Sequence, residues 1–429
     1  MFNQDGTYNK TLWQNGDVIT PEKMNKIEET LEVINDNDIS RHAEVTTRMN
    51  DLESAIQANK TASDSAIASI NTRLDNIDEN GGGSDAVNDD KYVFRCPLAT
   101  GNVDTDTANL TAFFNECMRK KYTNILIPKG VYKINAGFDL TGLKYGAIIS
   151  AFGVIFEVAN GGNIDYVIRL KRILDYWAAR RLTIQGLEIK GNHNALIGIE
   201  INGVLEFCLQ QVRIHDCKVG LAVEGTYYGE VSSETVIEGC LIGIQHRNNG
   251  SSTSEVNSID YHNVKINSGI GALSVRKKWY PINEGESDVD YTQRCYTNGV
   301  YQVGVQIECT NWMTKFYGLV IECVDLGYYH CKHSTGGYHA HFVIEKNYFE
   351  AIKLSPIDIR PIAGHVTAKI IDNHYYETCP IRVGDGTYEI LNNTRFGFAI
   401  PVETYMITDV SVLITDAPEI TSKKSASYI

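Results

Sequence analysis

Acidic side chains recur at one position of a repeated strand pattern, and their types and spacing suit proton-transfer chemistry. Three of them, Glu322, Glu350 and Glu377, each lie four residues before the apolar residue that opens the second half of a repeat. A further acid, Asp372, precedes Glu377 in the same repeat. If the repeats stack as neighbouring strands, equivalent Cα atoms lie about 4.8 Å apart. Stacked like charges are unfavourable, so these carboxylates either splay into solvent or serve a purpose.

Two carboxyl groups at such a spacing are a common means of hydrolysing glycosidic bonds. Retaining glycosidases hold them about 5–5.5 Å apart and inverting ones about 6.5–9.5 Å apart. Adjacent repeats offer roughly the first spacing, and next-neighbour repeats roughly the second. One carboxylic acid would protonate the leaving oxygen while the other acts as base or nucleophile. The candidate catalytic residues are therefore Glu322, Glu350, Glu377 and Asp372, although a solvated acidic ladder at the corners of the repeats is the simpler interpretation.

Aromatic residues are dense around two loop-rich stretches, 276–301 and 325–341. Loops on a rigid scaffold are where binding residues concentrate, and aromatic rings there offer flat faces for sugar rings. Loop anchoring or subunit packing is the alternative role. The candidate glycan-binding residues are Trp279, Tyr280, Tyr291, Trp312, Tyr328, Tyr329 and Tyr338.

Metal and cofactor signals are weak in this chain. His330, His333, His339 and His341 lie close together, and the last two share one face of a strand, so they could ligate a metal. A loop with incidental histidines is the favoured interpretation. Neither a G-x-G-x-x-G nor a Walker pattern occurs, so nucleotide binding is not indicated. We expect no cofactor and no metal.

A recurring strand pattern must position all of these side chains. Between Ile197 and Phe396, short blocks with alternating apolar residues, such as IGIEI, return at steps that fall within the period of stacked repeats. A single repeat cannot close its own apolar face, so successive coils stack and bury a continuous core. The sequence thus predicts an all-β solenoid. The residues that open the second half of each block are Ile197, Val219, Ile242, Ile270, Val303, Leu326, Leu354 and Ile381.

The N-terminal region has a different period. Thr20 suits a helix N-cap and Pro21 the first helical position, and a narrow apolar stripe with helical spacing follows over 23–78. A thin stripe with polar residues on its seam predicts a coiled coil, and hence an oligomer. One amphipathic helix packed on the body is the alternative. The glycine-rich, acidic stretch 79–91 is predicted to be a linker.

Bulk properties narrow the partners and the compartment. The 429 residues carry a formal net charge of −14, which argues against nucleic acid or anionic membrane as the main partner. The N-terminus has no basic segment followed by an apolar run, so we expect synthesis and folding in the cytoplasm. Ten cysteines occur without a C-x-x-C pair, and those at 217, 240, 323 and 379 are interpreted as small buried thiols.

The segment before the repeats carries a resemblance to a known fold. It reads DTANLTAFFNECMRKKYTNILIPKGVYKI, with an amphipathic helix over about 106–120, a strand over 124–127 and a Pro-x-Gly-x-Tyr strand. This order resembles the start of pectate-lyase-type right-handed β-helix domains. It implies a right-handed parallel β-helix over 92–396 with a capping helix, and a C-terminal cap or interchain strands over 397–429. The matching residues are Asp106, Thr107, Pro128, Gly130 and Tyr132.

The opening of the chain carries a second resemblance. The stretch YNKTLWQNGDVITPEKMNKIEETL is similar to the N-termini of tail-fibre and baseplate proteins of phages and prophages of Gram-positive bacteria. The matching elements are Trp13, Gly16-Asp17, Ile19-Thr20 and Asn25-Lys26-Ile27-Glu28. Combined with a coiled coil and a β-helix, they resemble a phage tail spike.

This resemblance implies a homotrimer of the virion tail or baseplate. Residues 1–22 would attach to phage tail or baseplate proteins, and the β-helix would bind a host surface polysaccharide during adsorption. Cleavage of that polysaccharide, by hydrolysis or elimination, is a further option. The sequence has no pectate-lyase calcium triad and no polygalacturonase-like motif, so pectin chemistry is not implied. The alternative is a connecting tail-fibre or baseplate protein without glycan-cleaving activity.

Overall fold

The computed structural model describes most of the chain from residue 93 onward. The described ranges are 93–171, 180–232, 234–247, 255–331, 338–360, 364–376, 379–384, 386–395, 398–399, 401–405, 410–415 and 420–424. In the N-terminal unit, Met1–Ala86, five exposed helical positions are described: Asn25, Lys26, Glu29, Thr46 and Thr47. The predicted attachment segment (1–22), nearly all of the predicted coiled coil (23–78) and the predicted linker (79–91) lie outside the described residues. In these ranges no helix is long and apolar enough to span a membrane.

The second unit, Val87–Ile429, winds through three parallel sheets that we name faces A, B and C. Face A contains β1 (Val93–Arg95), β2 (Asn124–Leu126), the first parts of β5 (Ile148–Val158) and β7 (Arg180–Lys190), β9 (Leu205–Gln210), β12 (Tyr227–Ser232), β15 (Glu255–His262), β18 (Thr310–Tyr317), β21 (Tyr338–Glu345), β24 (Gly364–Ile371), β27 (Gly386–Leu391) and β31 (Val410–Thr415).

Face B follows face A in every coil and is built of shorter strands. It contains β3 (Gly130–Ile134), the second parts of β5 and β7, β10 (Arg213–His215), β13 (Val236–Glu238), β16 (Lys265–Asn267), β19 (Val320–Glu322), β22 (Tyr348–Glu350), β25 (His374–Tyr375) and β28 (Thr394–Arg395). Faces A and B count as one 21-stranded sheet because β5 and β7 bend through both.

Face C closes each coil as a separate 11-stranded sheet. It contains β4 (Phe138–Asp139), β6 (Ile164–Lys171), β8 (Ala195–Asn202), β11 (Val219–Glu224), β14 (Ile242–His246), β17 (Val303–Ile307), β20 (Leu326–His330), β23 (Ser355–Ile359), β26 (Ile381–Val383), β30 (Val402–Tyr405) and β32 (Ile420–Lys424). Among the described strands every pairing is parallel except that of β28 with β29 (Phe398–Ala399). The predicted fold class, a right-handed parallel β-helix, is confirmed, with the right-handed crossover that parallel strands favour.

The core is a set of vertical stacks inside the coils. One inward column of face A runs through successive register partners and is fully buried, and two of its members, Tyr261 and Phe316, stack with ring centroids 5.1 Å apart. Because each coil leaves its apolar side uncovered, the column continues from coil to coil. Its members are Ile184, Leu209, Val231, Tyr261, Phe316, Ile344, Ile370 and Ile390.

A helix covers the N-terminal end of the stack. It is α1 (Val103–Lys120), close to the predicted 106–120, and the Asn102 side chain caps it by accepting from the Thr105 backbone N–H. Its buried face, which includes Leu110, Phe113 and Phe114, packs into the main core. Capping by a helix therefore hides the first open coil from water.

A helical insertion interrupts one coil between faces B and C. It consists of α2 (Ala272–Trp279) and α3 (Asp288–Thr297), between β16 and β17. The prediction that Ile270 opens a strand is wrong: Ile242 pairs with Val303, and Ile270 precedes α2 and is 56% exposed. A buried ion pair between Arg276 of α2 and Asp325 fixes the insertion to the following coil.

Two further features differ from the sequence-based expectation. Parallel pairing continues past residue 396, since β30, β31 and β32 pair with β26, β27 and β30, so the coils extend into the predicted C-terminal cap. None of the ten cysteines, all of which lie in the described ranges, forms a disulfide; Cys217 and Cys240 are buried as predicted, and Cys379 is half-buried. Cys323 is exposed because it occupies an outward corner with φ of 60°.

Candidate functional site

The predicted acidic ladder lies on face B. Glu322 and Glu350 are register partners on β19 and β22, so they stack on neighbouring coils as expected. Each has a local partner: Lys265 Nζ lies 2.8 Å from the Glu322 carboxylate, and the Tyr348 hydroxyl donates to Glu350 at 3.0 Å. These two contacts offset the repulsion between the stacked carboxylates of Glu322 and Glu350. The strands that carry them are three residues long. Catalysis by this pair stays a prediction.

The two remaining acidic candidates are not brought to this pair in the described structure. Glu377 lies outside the described residues; because Phe349 pairs with Tyr375, the position beside Glu350 belongs to Tyr376. Asp372 occupies the turn between β24 and β25 with φ of 57°, at the corner between faces A and B. Its role also stays a prediction.

Two of the seven aromatic candidates are buried, and for them the predicted contact with a glycan is wrong. Tyr291 is 0% exposed, and its hydroxyl donates to the Tyr280 carbonyl at 2.8 Å, which holds the helical insertion together. Tyr328 is 1% exposed and packs against Phe316 and Phe342 in the core. Amphipathic tyrosines serve packing here because their rings add apolar area to the core.

The other aromatic candidates are dispersed over the coils. Trp279 and Tyr280 are half-buried at the insertion, with the Trp279 ring edge-on to His193. Tyr329 is half-buried on face C beneath the Arg360 guanidinium.

The last two aromatic candidates are on face A. Trp312 is half-buried on β18, and Tyr338 begins β21 with a side chain outside the described residues. The structure therefore does not gather the seven into one platform, and sugar binding by Trp279, Tyr280, Trp312, Tyr329 and Tyr338 stays a prediction.

The histidine cluster is divided between the interior and the surface. His330 is buried in the core next to Phe342, whereas His341 is the register partner of Trp312 on face A. His333 and the His339 side chain lie outside the described residues. Among the residues whose side chains are described, no group of three or more metal-ligating side chains converges.

An open groove of about 460 Å³ lies on the outer surface of face A, where β7, β9, β12 and β15 run side by side. Its lining is mostly polar and comes from four successive coils. The lining residues are Arg181, Thr183, Glu206, Phe207, Cys208, Tyr228, Gly229, Glu230, Ser258, Asp260 and His262.

A column of left-handed residues shapes this groove. In five successive coils one residue adopts a left-handed φ between +53° and +58°, which is uncommon for residues other than glycine. The first four lie opposite one another, so the strands around them keep their register, whereas Met313 is an extra residue relative to β21 and forms a β-bulge there. The left-handed residues are Arg181, Glu206, Tyr228, Ser258 and Met313.

The floor of the groove requires a glycine. Gly229 pairs with Phe207 on the neighbouring coil, and a Cβ at position 229 would lie 2.1 Å from the Phe207 ring. Absence of a side chain lets the ring occupy this space, and Tyr228, the preceding residue, is 61% exposed at the rim.

Charged groups in the groove are arranged in pairs, with one exception. Glu206 forms an ion pair with Arg181 at 2.8 Å. Glu230 Oε1 accepts a hydrogen bond from the Ser232 hydroxyl at 2.7 Å and lies 3.1 Å from His262 Nε2.

Asp260 is the exception. It is the register partner of Glu230 on the next coil, is exposed, and has no hydrogen-bond or ion-pair partner within the described ranges. The groove thus contains two stacked carboxylates in different environments, one held by two neighbours and one open to a ligand.

Sequence reasoning missed this site because it aligned the coils on the face-C strands. The segments that connect face C to the next face-A strand vary in length. Acids at equivalent positions of face A therefore lie at different sequence distances from the face-C strands. Counting back from the start of each face-B strand does not align the pair either, because Glu230 lies six residues before Val236 and Asp260 five residues before Lys265.

Comparison with solved structures returns other β-helices. The chain is similar to Geobacillus virus E2 ORF18 (12% identity, 73% of this chain and 62% of that chain, TM-score 0.44). It is also similar to the Dettilon tailspike protein (12% identity, 75% and 64%, TM-score 0.44). An alginate lyase from Paenibacillus sp. matches at 12% identity over 75% and 95% of the two chains, with a TM-score of 0.41.

These similarities are likenesses of fold. The predicted resemblance to a phage tail spike is found at that level, and the chain spans less than two thirds of the length of either phage protein. No family model matches the chain, and no curated protein matches it. The β-helix architecture itself rests on the strand pairing of this chain.

Proposed function

We propose that this protein is a phage tail spike or tail fibre protein that binds a host bacterial surface polysaccharide along the face-A groove during adsorption. The observation that supports this most directly is the groove itself, an open, mostly polar trough on a rigid parallel scaffold. Concave sites with a few placed polar groups are the usual form of ligand sites, and an open trough suits an extended chain.

The chemistry of the lining agrees with a sugar ligand. Carboxylates accept hydrogen bonds from sugar hydroxyl groups, and the Arg181 guanidinium donates to sugar oxygens. Tyr228 at the rim and Met313 on the coil that follows the groove, each 61% exposed, provide apolar area against which the flat side of a sugar ring can pack. Neighbouring coils repeat these groups about every 4.8 Å, so a chain parallel to the helix axis meets similar groups along its length.

The assembly around this site is also part of the proposal. The similarity of the opening residues to phage tail-fibre and baseplate proteins supports attachment to the virion through residues 1–22. The narrow apolar stripe over 23–78 supports an oligomer, and the resemblance to tail spikes supports a homotrimer. The protein would be made in the host cytoplasm and act at the bacterial surface as part of the virion.

A second candidate function is cleavage of the bound polysaccharide. The observation that favours it is the unequal environment of Glu230 and Asp260, because acid and base roles arise where two stacked carboxyls meet different surroundings. The face-B pair of Glu322 and Glu350 remains the rival location for the same chemistry.

The test uses capsular and wall polysaccharides purified from Gram-positive bacteria. Each is incubated with the full chain, and size-exclusion chromatography follows both co-elution and polysaccharide length. Amide hydrogen exchange then locates the contact. We expect co-elution of an intact or shortened polysaccharide with protection concentrated in β9, β12 and β15. Absence of binding to every preparation, or protection confined to faces B and C, would contradict the proposal and favour a connecting fibre.

A further inference from the structure

Two oppositely charged side chains at the C-terminal end of the groove have no charged or hydrogen-bonding partner among the described residues. Asp260 on β15 and Lys315 on β18 are register partners, so their Cα atoms lie about one strand spacing apart. Both side chains are exposed. In the described part of the chain, neither has a hydrogen-bond or ion-pair partner.

The same column of face A contains a second lysine and acid on neighbouring strands, and these two do form an ion pair. Lys369 and Glu389 are register partners on β24 and β27, and their charged groups meet at 2.7 Å. One strand spacing is therefore short enough for a lysine and an acid to form an ion pair on this surface. Asp260 and Lys315 are instead directed to solvent, where a ligand can reach both.

The sign of the surface charge changes between these two residues. On the N-terminal side the groove contains Glu206, Glu230 and Asp260 against Arg181, an excess of negative charge. A uniformly anionic polymer would be repelled there, and a uniformly cationic one would be repelled at Lys315. A ligand that carries both signs, or none, avoids this conflict.

Resting on the function proposed above, we propose that the polysaccharide bound in the groove is zwitterionic, with an ammonium group at Asp260 and a phosphate or carboxylate group at Lys315. Two open charges of opposite sign favour charged partners over hydroxyl groups, because an oppositely charged ligand group adds a direct Coulombic attraction that a neutral hydroxyl group lacks. The spacing of the two residues sets the spacing of the two ligand charges at roughly one strand separation.

The experiment uses the polysaccharide that co-elutes with the wild-type protein. Its repeating unit is analysed by proton and phosphorus NMR, which separates a phosphate from a carboxylate. A second portion is treated with acetic anhydride, which converts ammonium groups into neutral acetamides. Affinities of the native and acetylated forms are then measured for the wild type, Asp260→Asn, Lys315→Gln and the control Lys369→Gln.

We expect a repeating unit with both an ammonium and an anionic group. Acetylation should weaken wild-type binding about tenfold, and Asp260→Asn should bind both forms with the same reduced affinity. Lys315→Gln should lose about tenfold for the native form, whereas Lys369→Gln should stay within about twofold. A neutral or singly charged repeating unit, or equal binding of native and acetylated forms by the wild type, would overturn the inference. If hydrogen exchange still located such a glycan in the groove, the proposed function would survive that result.

Discussion

Faces A and B each contain a pair of carboxylates stacked on neighbouring coils, and the pair on face A lines the groove. On face B, Glu322 and Glu350 end three-residue strands. Each carboxylate has a partner, since Glu322 forms an ion pair and Glu350 accepts a hydrogen bond from a neighbouring side chain. On face A, Glu230 and Asp260 lie beside a column of left-handed residues, and Asp260 has no partner among the described residues. A parallel β-helix stacks like residues readily, so stacking alone does not mark a site.

The length of the strands explains the difference. A three-residue strand has one inward residue between two outward ones, so its surface stays flat. Face-A strands of six to eight residues, such as β12 and β15, have room for a left-handed residue that interrupts the regular pleat and places its side chain on the outer surface. The two faces therefore differ in the shape of their surfaces and in the availability of Asp260 to a ligand, not in the number of acidic residues.

The largest expected effect comes from removing the buried ion pair between Arg276 and Asp325, which joins the coils that carry Asp260 and Lys315. Arg276→Ala leaves Asp325 charged and buried, which should cost about 3–5 kcal/mol in the free energy of unfolding. Lys277→Ala, which removes an exposed ion pair with Asp288, should cost less than about 1 kcal/mol. Chemical denaturation compares the two. Equal losses would mean that the insertion does not hold the coils in register.

Acid should weaken the core that both faces share. Burial lowers the pKa of His246 to about 3, so the unfolded chain, with an ordinary histidine pKa near 6.5, binds more protons as pH falls. Stability present above pH 6.5 is lost as the pH falls from there toward 3, by about 3 kcal/mol at pH 4. Denaturation at a series of pH values should show this slope reduced in His246→Gln. An unchanged slope would assign the acid sensitivity to other groups.

A side chain added at the floor of the groove should distinguish an effect on the shape of the groove from an effect on the stability of the protein. Gly229→Ala places a Cβ against the Phe207 ring and should cost about 1–3 kcal/mol while distorting the groove. Gly304→Ala on face C creates a similar clash with the Gly327 carbonyl and Ile321, away from the groove. Both variants should unfold more easily, but only Gly229→Ala should lose affinity for the polysaccharide. Unchanged affinity in Gly229→Ala would move the binding site elsewhere.

The smallest expected effect concerns exposed tyrosines on the two faces. Tyr228→Ala at the rim of the groove should weaken polysaccharide binding about fivefold, as expected for loss of about 1 kcal/mol of ring contact. Tyr376→Ala removes a 46% exposed ring on face B and should leave the affinity within about twofold. Calorimetric titration of both variants checks this, and a larger loss in Tyr376→Ala would reverse the comparison.

The sequence predicts the architecture better than the site. The apolar alternation and the order of helix and strand before residue 134 predict the β-helix and α1, because burial of each coil forces stacking whatever the loops do. Ile270 misled the prediction because an apolar-glycine pair also begins a helix. Register also follows from sequence where coils are short, as for Glu322 and Glu350.

The groove could not be predicted in the same way. It depends on the left-handed conformations at positions such as Glu206 and Tyr228, which have no residue signature of their own. The openness of Asp260 depends on where the Lys315 side chain points, which spacing does not fix. Burial of Tyr291 and Tyr328 likewise follows from the insertion and the core stack, not from their density in the sequence.

The most direct test of the account compares two matched double variants. Glu230→Gln/Asp260→Asn and Glu322→Gln/Glu350→Gln each neutralise one stacked pair of carboxylates with nearly isosteric amides, the first on face A and the second on face B. The measurement is the affinity of each variant for the polysaccharide that binds the wild type. We expect a loss of about tenfold or more for the face-A variant and less than about twofold for the face-B variant. The opposite ranking, or equal losses, would contradict the assignment of the site to the groove.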